Sequence, residues 1–592
     1  MTGDSLRRVL YIDLKRRRYY IEDKTELFQE SLGGAGVAIR LLEEECPQGV
    51  EPLGPDNPII FAVGPLTGLF PLASKTVAMF KSPLTGNLGE SHAGGRSAMA
   101  LRLAGYGAVV IKGSSETPIY LAIHGDKVSF QDASALWGVA SSFTVGRVLR
   151  EREPGAGQRA IMRIGRAGER LVCYACVVTE TYRHFGRMGL GAVFGSKKLK
   201  AIVVSGSSSI HVASPKLYRE AYDEIYQAAV ESPVMQKYHE LGTAGNIEPL
   251  NAIGGLPTMN LKQARFDSAR EISGESFAGG YLGRRIACSH CPVACIHIAS
   301  LREPYESEPY FYKTSMISYD YELIYALGSM LGNSDIRAIL KLMDGLERLG
   351  LDAISTGVVL AWATEALERG LVSTEHTAGV ELAWGNHDNY SRASRLLVEQ
   401  PNEFYSALAQ GVEYASAKYG GTDFALAFAG NEMAGYHTGP AAYAGYLMGS
   451  RHSHLDSAGY SLDQKALASG KQPTPGETAE ALTTEEAWRQ ILSSAVVCFF
   501  ARGIYTPDTM AKALKVMGYD LTPQALVQIG EDVLRRKYAF KLREGFCHST
   551  LRIPGRILET PSSLGTISEA ILRETMARMD EKLRLSPPAG VS

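Results

Sequence analysis

Three cysteines lie close together near the middle of the chain. Cys288, Cys291 and Cys295 form a C-x2-C-x3-C run within eight residues. Three thiolates at this spacing can wrap one [4Fe–4S] cluster and leave its fourth iron to a distant ligand. The alternatives are a structural zinc site, with cysteine or His290 as ligand, and inert buried thiols. The order is the reverse of the C-x3-C-x2-C run of radical S-adenosylmethionine enzymes, so we favour an iron–sulfur cluster outside that class.

A second cysteine pair has a similar spacing but a different expected role. Cys173 and Cys176 lie in the run 171–178, whose alternation predicts a β-strand. Residues three apart on a strand point to opposite faces, so these thiols are expected to be core residues that cannot share one metal. Cys46 and Cys547 are isolated and indicate no site.

A glycine-rich loop follows at 186–195, where four glycines flank Arg187. Such a loop can cradle an anionic group with backbone N–H groups, and Arg187 would add a charged donor. Its spacing is neither that of a Walker A loop nor that of the dinucleotide fingerprint. Close packing of a strand on a helix explains these glycines equally well.

Glu322 is a carboxylate in the otherwise apolar segment 321–328. Its apolar neighbours predict a low-dielectric setting and a raised pKa suited to proton transfer. A glutamate on a helix surface is the alternative. Farther along, His452 and His454 could be metal ligands, but their spacing is not that of a dedicated zinc site, and an ordinary polar loop is the alternative.

The elements that must position these residues change character along the chain. Residues 1–209 predict a β-rich part, in which two Pro-Leu-Thr-Gly turns, 64–68 and 82–86, suggest two halves of a sheet with related turns. The expected strands are 9–12, 59–63, 77–80, 108–111, 119–123, 160–164, 171–178 and 201–204.

Helical patterns dominate after Ser214, which reads as an N-cap before Pro215. A helix is expected from about Ser334 to a C′ residue at Gly350, and another from about Ser355. A further helix is expected from the capping box 483–486 toward Cys498, after a surface loop at 468–478. We therefore predict an α+β protein with a β base domain (1–209) and two mainly helical domains (210–420 and 421–592).

Composition limits the function classes. Lys plus Arg is 61 against Asp plus Glu 63, so the charge excess expected of a nucleic-acid binder is missing. No stretch approaches the ~20 apolar residues of a membrane span, and the N-terminus has no apolar signal-peptide core. Eight cysteines are few for 592 residues, which argues against a disulfide scaffold. These features predict a soluble, cytoplasmic protein.

Seven blocks resemble the tungsten-containing aldehyde:ferredoxin oxidoreductase family, in the same order, over about residues 6–545. They are the turns 64–68, 81–86 and 93–95, the glycine loop 186–202, the cysteine run 288–295, and the segments 321–328 and 350–357. The resemblance implies that the β base and the two helical domains enclose a tungsten (or molybdenum) bis-pyranopterin, with Mg²⁺ bridging the pterin phosphates.

The resemblance also implies roles for individual residues. Cys498 becomes the fourth ligand of a [4Fe–4S] cluster, Glu322 the catalytic acid–base, and His454 the active-site histidine. The positions that match the family's cofactor contacts are Lys75, His92, Gly94, Gly95, Arg187, Gly189, Gly191, Glu347, Leu351, Asp352, Arg451, Ser493 and Val497.

Several of these positions depart from the family's pattern. The second pterin motif, Asp-x-x-Gly-Leu-Cys, reads Ser-Ser-Ala-Val-Val-Cys at 493–498, and the first has Glu347 for its leading Asp. Lys75 replaces an arginine, His92 replaces an asparagine, and the histidine loop after Arg451 is one residue shorter. These departures concern the substrate, because other branches of the superfamily act on other carbonyl or aromatic compounds.

The resemblance implies oxidation of a small aldehyde to a carboxylic acid. Glu322 would deprotonate the attacking water or its adduct, and His454 would hydrogen-bond the carbonyl oxygen. Electrons would leave through the cluster to ferredoxin or to an iron–sulfur partner subunit, and a homodimer is one assembly we consider. The alternatives are a relative that reduces or oxidises a non-aldehyde carbonyl or aromatic acid, and a non-catalytic electron-transfer or zinc-stabilised scaffold.

Overall fold

The computed structural model describes residues 5–153, 155, 158–179, 182–212, 214–305 and 307–584. Within these residues the β-strands are β1 (Arg8–Asp13), β2 (Arg18–Asp23), β3 (Ile59–Ala62), β4 (Thr76–Lys81), β5 (Leu88–Ala93), β6 (Ala108–Lys112), β7 (Ile119–His124), β8 (Lys127–Asp132), β9 (Ala160–Ile164), β10 (Val177–Val178), β11 (His184–Phe185), β12 (Leu199–Ser205), β13 (Leu282–Ile286), β14 (Ile296–Pro304), β15 (Tyr312–Tyr319), β16 (Ala427–Phe428) and β17 (Asn431–Glu432).

The α-helices of the same residues are α1 (Thr25–Ser31), α2 (Gly34–Glu45), α3 (Ser97–Leu103), α4 (Ser142–Arg152), α5 (Arg166–Glu169), α6 (Leu190–Ser196), α7 (Pro215–Glu231), α8 (Pro233–Glu240), α9 (Ile247–Ala252), α10 (Gly274–Tyr281), α11 (Tyr321–Leu327), α12 (Ile336–Leu349), α13 (Ala353–Glu368), α14 (His387–Glu399), α15 (Glu403–Leu408), α16 (Val412–Tyr419), α17 (Pro440–Met448), α18 (His454–Ser457), α19 (Gly459–Ser469), α20 (Pro475–Ser494), α21 (Pro507–Val516), α22 (Pro523–Arg543), α23 (Arg556–Glu559) and α24 (Glu569–Arg584).

The first twelve strands form two six-stranded sheets with the same topology. The first sheet has the order β2-β1-β6-β3-β4-β5 and the second the order β8-β7-β12-β9-β10-β11. In each sheet the first strand of the half pairs with its sixth in parallel, β1 with β6 and β7 with β12. The N-terminal part is therefore an internal duplication. Both Pro-Leu-Thr-Gly turns fall in its first half, after β3 and β4, so the suggestion that they mark two halves is wrong.

One long helix from the C-terminal region packs against each half of the duplication. α20 lies on α2 of the first half, and α12 contacts α4 of the second. The C-terminal ends of α20 and α12 both contact the base. In each half a glycine of the base allows the backbone of the helix end to approach closely. A Cβ added to Gly34 would lie 2.1 Å from the Ser493 carbonyl, and one added to Gly165 would lie 2.2 Å from the Leu349 carbonyl. The helix ends are thus fixed on the duplicated base.

Most expected elements are present, and the α+β class is confirmed. Gly350 is the left-handed C′ residue of α12, at φ +77°. Strands β5, β8, β11 and β13–β17 were not expected, and β13–β15 form a sheet inside the part expected to be mainly helical. The last strand of the second sheet ends at Ser205 and α7 begins at Pro215, while the domain divisions at 209 and 420 stay predictions.

Two expected elements are wrong. Only the last two residues of the predicted strand 171–178 are β-strand, and the rest is a turn. The capping box at 483–486 does not start a helix, because α20 begins eight residues earlier at Pro475. Thr474 and Glu477 form the actual capping box, so half of the expected loop 468–478 is helical. No helix in the described residues is long and apolar enough to cross a membrane.

Candidate active site

The structure brings together the four cysteines expected to bind the cluster. Cys291 faces the thiols of Cys288, Cys295 and Cys498, and burial together with Cys288 raises its pKa. Burial also raises the pKa of Cys295 to about 11. No group of three or more His, Cys, Asp or Glu in the described residues is already arranged as a metal site, so the four thiols are neighbours rather than a finished ligand set.

One loop residue of the first sheet holds the two cysteine segments together. The Cys498 N–H donates to the Leu72 carbonyl at 2.9 Å, and the Leu72 N–H donates to the His290 carbonyl at 3.1 Å. His290 and Ala294 both have positive φ, 55° and 52°, a conformation that side chains with a Cβ seldom adopt. The cysteine run is therefore tightly wound beside the segment that carries Cys498.

Gly94 and Gly95 lie against the same thiols. A Cβ added to Gly94 would come within 2.8 Å of the Cys288 Sγ and 3.5 Å of the Lys75 Nζ. The Gly95 carbonyl accepts the Ser289 N–H at 3.0 Å. Glycine is therefore needed at Gly94 for close approach, and Lys75 places an ammonium group beside the cluster cysteines.

His92 belongs to a buried charged chain. Its Nε2 lies 2.7 Å from the Glu90 Oε1, and the Lys537 Nζ lies 2.5 Å from both the Glu90 Oε2 and the Gln490 Oε1. Burial outweighs the contact with Glu90 and lowers the pKa of His92 to about 4. Burial opposes ionisation of Glu90, but Lys537 holds its pKa well below the usual range. His92 is therefore a neutral imidazole fixed by an ionised carboxylate.

Arg451, Ser493 and Val497 lie near the C-terminal end of α20. The Arg451 Nε donates to the Asp456 Oδ1 at 2.6 Å, and its guanidinium lies 5.6 Å from the centre of the Phe499 ring. Ser493 and Val497 are buried at the C-terminal end of α20. Arg451 thus reaches the segment that carries Cys498.

Arg187 and the first pterin motif meet on the second sheet. The Arg187 Nε donates to the Asp352 Oδ2 at 3.1 Å, and its Nη2 donates to the Glu432 carbonyl at 2.7 Å. Glu347 lies 3.1 Å from the His184 Nε2. These residues come from distant parts of the sequence, and the structure brings Arg187 together with the segment 347–352. Lys75 lies instead beside the thiols.

The glycines at 189 and 191 are explained by packing. A Cβ on Gly189 would lie 2.1 Å from the Cys173 carbonyl, and one on Gly191 would lie 2.6 Å from the Cys176 carbonyl. The buried Leu351 pairs with the same turn. The turn 173–176 is therefore a structural support between α6 and the first pterin motif, and a contact of these glycines with a pterin stays a prediction.

Glu322 and His454 are in direct contact. The Glu322 Oε1 accepts the Tyr436 hydroxyl at 2.8 Å and lies 3.2 Å from the His454 Nε2. The Tyr436 ring stacks on His454 with centroids 5.0 Å apart and on Tyr460 at 4.4 Å. The carboxylate therefore has two fixed donors, one of which is clamped between two rings.

The pKa of Glu322 was expected to be raised, and the structure indicates the opposite. Burial does raise it, but the hydrogen bonds from His454 and Tyr436 outweigh burial and lower the pKa. The neighbouring Asp320 has the raised value, about 6, because of burial and the charge of Glu322. Glu322 is thus held as an anion.

Tyr436 and Arg183 were not found from the sequence. Tyr436 is 114 positions from Glu322, and no pattern joins the two. Arg183 is a half-buried cation that faces Cys288, Cys295, Cys498 and Asp320, which raise its pKa against the effect of desolvation. The sequence signal that could have indicated Arg183 is its position four residues before Arg187. Arg183 lies between the thiols and the segment that carries Glu322.

Comparison with known proteins identifies the family of this chain. The N-terminal domain model of aldehyde ferredoxin oxidoreductase matches residues 9–206, and the model of domains 2 and 3 matches residues 220–584. The chain belongs to the aldehyde ferredoxin oxidoreductase family. It is 30% identical over 555 residues to a tungsten-containing aldehyde ferredoxin oxidoreductase of Pyrococcus furiosus, which covers 91% of this chain and 89% of the relative.

Other proteins similar to this chain have different names. An aliphatic sulfonate oxidoreductase, WOR-like subunit, of Pyrococcus furiosus is 30% identical over 433 residues, covering 69% of this chain and 67% of that protein. A solved structure, the active site complex BamBC of benzoyl coenzyme A reductase with 1,5-dienoyl-CoA, has a TM-score of 0.81. It is 21% identical and covers 98% of this chain and 94% of its own, so it supports the fold.

Membership implies a tungsten or molybdenum pterin and an iron–sulfur cofactor. The residues present fit such groups. Among the described residues, the buried Arg187 Nη1, His452 Nε2 and His454 Nδ1 have no hydrogen-bond partner in the protein. Unpaired buried donors and acceptors are costly and indicate a missing partner. Four adjacent thiols are the donor set of an iron–sulfur cluster.

Proposed function

We propose that this oxidoreductase oxidises an aldehyde to a carboxylic acid at a tungsten or molybdenum bis-pyranopterin. The observation that carries the proposal is the contact of Glu322 with His454 and Tyr436, close to residues with unpaired polar atoms. A carboxylate kept ionised by two donors is ready to accept a proton. Cys288, Cys291, Cys295 and Cys498 would hold a [4Fe–4S] cluster.

The residues around Glu322 have separate tasks. Glu322 takes a proton from water or from its adduct with the aldehyde. His454 would hydrogen-bond the carbonyl oxygen through Nδ1, the ring nitrogen without a partner in the described residues, as negative charge develops there. The stacking of His454 on Tyr436 fixes its ring. Bound metal supplies the two-electron redox chemistry. Arg187, Asp352 and Glu347 would hold one pterin with its bridging Mg²⁺. Lys75 and His92, with Ser493 and Val497 of the second pterin motif, would hold the other.

Changing Glu322 to glutamine tests the proposal. Glutamine keeps the size of the side chain but cannot accept the proton, and loss of a positioned acid–base costs roughly a hundred- to ten-thousand-fold in rate. We expect Glu322→Gln to keep its iron and its tungsten or molybdenum and to lose at least about a hundredfold in turnover. Asp344→Asn, which removes a carboxylate paired with Arg348 on α12, is the matched control. Turnover near the wild-type rate with metals intact would show that Glu322 is structural.

The lowered pKa of Glu322 predicts how the rate depends on pH. Glu322 is ionised at neutral pH, so kcat/KM should be level there and fall only in acid, where the carboxylate becomes protonated. His454→Ala removes a hydrogen bond that lowers this pKa. The acid limb of the profile should therefore move to higher pH, with a lower plateau. A limb that stays in place in His454→Ala would assign it to another group.

Electrons from the reaction would pass through the cluster to ferredoxin or to an iron–sulfur partner subunit. The half-buried positions of all four cysteines support transfer at the surface. We place the enzyme in the cytoplasm because its thiols must remain reduced. A homodimer is the assembly we would test first, by mass determination in solution.

A second candidate is action on a non-aldehyde carbonyl or an aromatic acid with an iron–sulfur partner subunit. It is favoured by the departures at Lys75, His92 and 493–498, together with the differing names of two relatives. Assays of both classes with one artificial electron carrier would separate the two candidates. Inactivity toward every aldehyde, in protein with full metal content, would favour the second.

A further inference from the structure

The segments around the four thiols carry an excess of positive charge. Residues 233–240, 282–295 and 499–503 contain four Lys or Arg side chains and one carboxylate, that of Glu240, whereas the whole chain has 61 basic and 63 acidic residues. The four cations are Lys237, Arg284, Arg285 and Arg502. The first three are exposed, and Arg502 is half-buried. The excess is therefore local and accessible.

These segments form one surface with the cysteine run. The His239 Nδ1 donates to the carbonyl of Val293, within the run, at 2.8 Å. The Arg285 Nη2 donates to the Glu240 carbonyl at 3.3 Å, which ties β13 to α8 just before Cys288. We call the surface of 233–240, 282–295 and 499–503 the thiol face.

The segment after Cys498 completes the thiol face. The Phe500 ring stacks on Tyr238 of α8, with centroids 4.0 Å apart. Val234, on the same helix, is 52% exposed. The face thus has a small apolar centre with cations around it, which is the composition of many transient protein–protein interfaces.

The cations of the thiol face are not used up by internal ion pairs. Where the described residues give a hydrogen-bond partner, it is a neutral oxygen. Lys237 donates to the Asn246 Oδ1 at 3.0 Å, and Arg502 donates to the Phe499 carbonyl at 3.1 Å. Their charge therefore remains available to an incoming anion.

Protection of a sheet edge is the competing explanation. β13 is an edge strand, and exposed charges on such a strand prevent pairing with other chains. This accounts for Arg284 and Arg285. It does not account for Lys237, which is on a helix, or for Arg502, which follows Cys498.

We propose that the thiol face docks an acidic one-electron carrier protein, an inference that rests on the proposed function. Oxidation of one aldehyde with one water yields the acid, two protons and two electrons. Each electron reduces one molecule of oxidised carrier, so two carriers must dock in turn. Fast, repeated docking favours steering by opposite charge over a large apolar interface. The cations of the thiol face meet that need on the segments that carry or adjoin the four cysteines.

The test uses the metal-loaded enzyme with Arg284→Glu and Arg285→Glu combined. The probes are an acidic ferredoxin with a single iron–sulfur cluster, which accepts one electron, and benzyl viologen, a small dye that needs no docking surface. At low salt we expect the KM for ferredoxin to rise at least about tenfold and its salt dependence to flatten. The benzyl viologen rate should not change. Arg16→Glu with Arg18→Glu, on the exposed β1–β2 hairpin, is the matched control and should behave as wild type.

Direct binding of oxidised ferredoxin, measured without substrate, separates the docking proposal from the proposed function. Weaker binding in the Arg284/Arg285 variant supports docking even if no aldehyde is turned over. Unchanged binding and unchanged salt dependence overturn it. If the double variant also loses the benzyl viologen rate, its fold is disturbed, and Lys237→Glu on α8 replaces it, with the same expected weakening and the same contrary result.

Discussion

The helix ends at 347–352 and 493–498 have the same backbone and different chemistry. In α12, the Leu351 N–H donates to the Leu346 carbonyl at 3.0 Å. In α20, the Val497 N–H donates to the Leu492 carbonyl at 2.7 Å. Both bonds close a helix through the same six-residue motif, which needs a left-handed residue just before the donor.

Each helix end also pairs with an equivalent turn of the duplicated base. The Asp352 N–H donates to the Tyr174 carbonyl at 3.1 Å, and the Cys498 N–H donates to the Leu72 carbonyl at 2.9 Å. The turn near Tyr174 precedes β10, and the turn near Leu72 precedes β4, the corresponding strand of the other half. The turn 173–176 is thus the counterpart of the one that ends in Lys75.

The difference lies in the last side chain of each end. Asp352 is a carboxylate held by Arg187, whereas Cys498 is a thiol among three others. Both halves of the duplicated base bind the last residue of a helix end through the same backbone hydrogen bond. The residue delivered has diverged, so that one end is suited to a cofactor held through charge and the other to a metal cluster. The scaffold and the chemistry are separable.

The largest test of this comparison replaces the delivered thiol. Cys498→Ser should remove one of four cluster ligands and lower iron from about four per chain toward zero. Cys176→Ser, at the turn of the other half, should leave iron unchanged, because its buried thiol faces Asp352, Glu347 and Arg163. Iron and acid-labile sulfide are measured in anaerobically purified protein. One zinc per chain and no acid-labile sulfide would show that the four thiols do not bind an iron–sulfur cluster.

A smaller effect is expected where the helix ends need glycine. In Gly350→Ala, the left-handed φ costs about 1–2 kcal/mol, and the added Cβ meets the Gly165 nitrogen at 2.9 Å. We expect a loss of roughly 3 kcal/mol in the free energy of unfolding, measured by denaturant on metal-free protein. Gly345→Ala, in the same helix with open space around it, should gain about 0.5–1 kcal/mol. Equal results would deny a special role to Gly350.

The smallest effect is expected at Val496, the counterpart of Gly350. This residue has φ +57°, so Val496→Gly relieves about 1–2 kcal/mol of strain. It also loses burial worth about 1.5–3 kcal/mol, because Val496 is fully buried, and adds about 0.5–1 kcal/mol of chain entropy. Burial should win, with a net loss of about 1 kcal/mol in the same unfolding experiment. A gain would mean that strain dominates at this end.

Local patterns predicted part of the molecule well. Regular apolar runs gave β3, β4 and β12, and Ser214 with Pro215 gave the start of α7. Two capping boxes compete near α20, and Pro475 in its first turn belongs to the earlier one. The run 171–178 alternates like a strand, but its turn is fixed by contacts with α6 that the sequence does not display.

The candidate site was less predictable where contacts are long-range. Three of the four cluster cysteines could be predicted because they lie within eight residues of the sequence. Lys537 and Glu90 are 447 positions apart, and a buried ion pair leaves no periodic signal in either segment. The pKa of Glu322 was misjudged for the same reason, because the donors that lower it lie more than a hundred positions away.

The bond between Leu72 and Cys498 has a consequence for the making of the enzyme. Its two residues are 426 positions apart (498 − 72), so they cannot meet until most of the chain has been synthesised. Domains fold as they emerge, and the duplicated base is complete long before residue 498 appears. Cys498 therefore joins the other three cysteines only after that base has been synthesised. A cluster held by all four thiols would therefore be completed only after the duplicated base has folded.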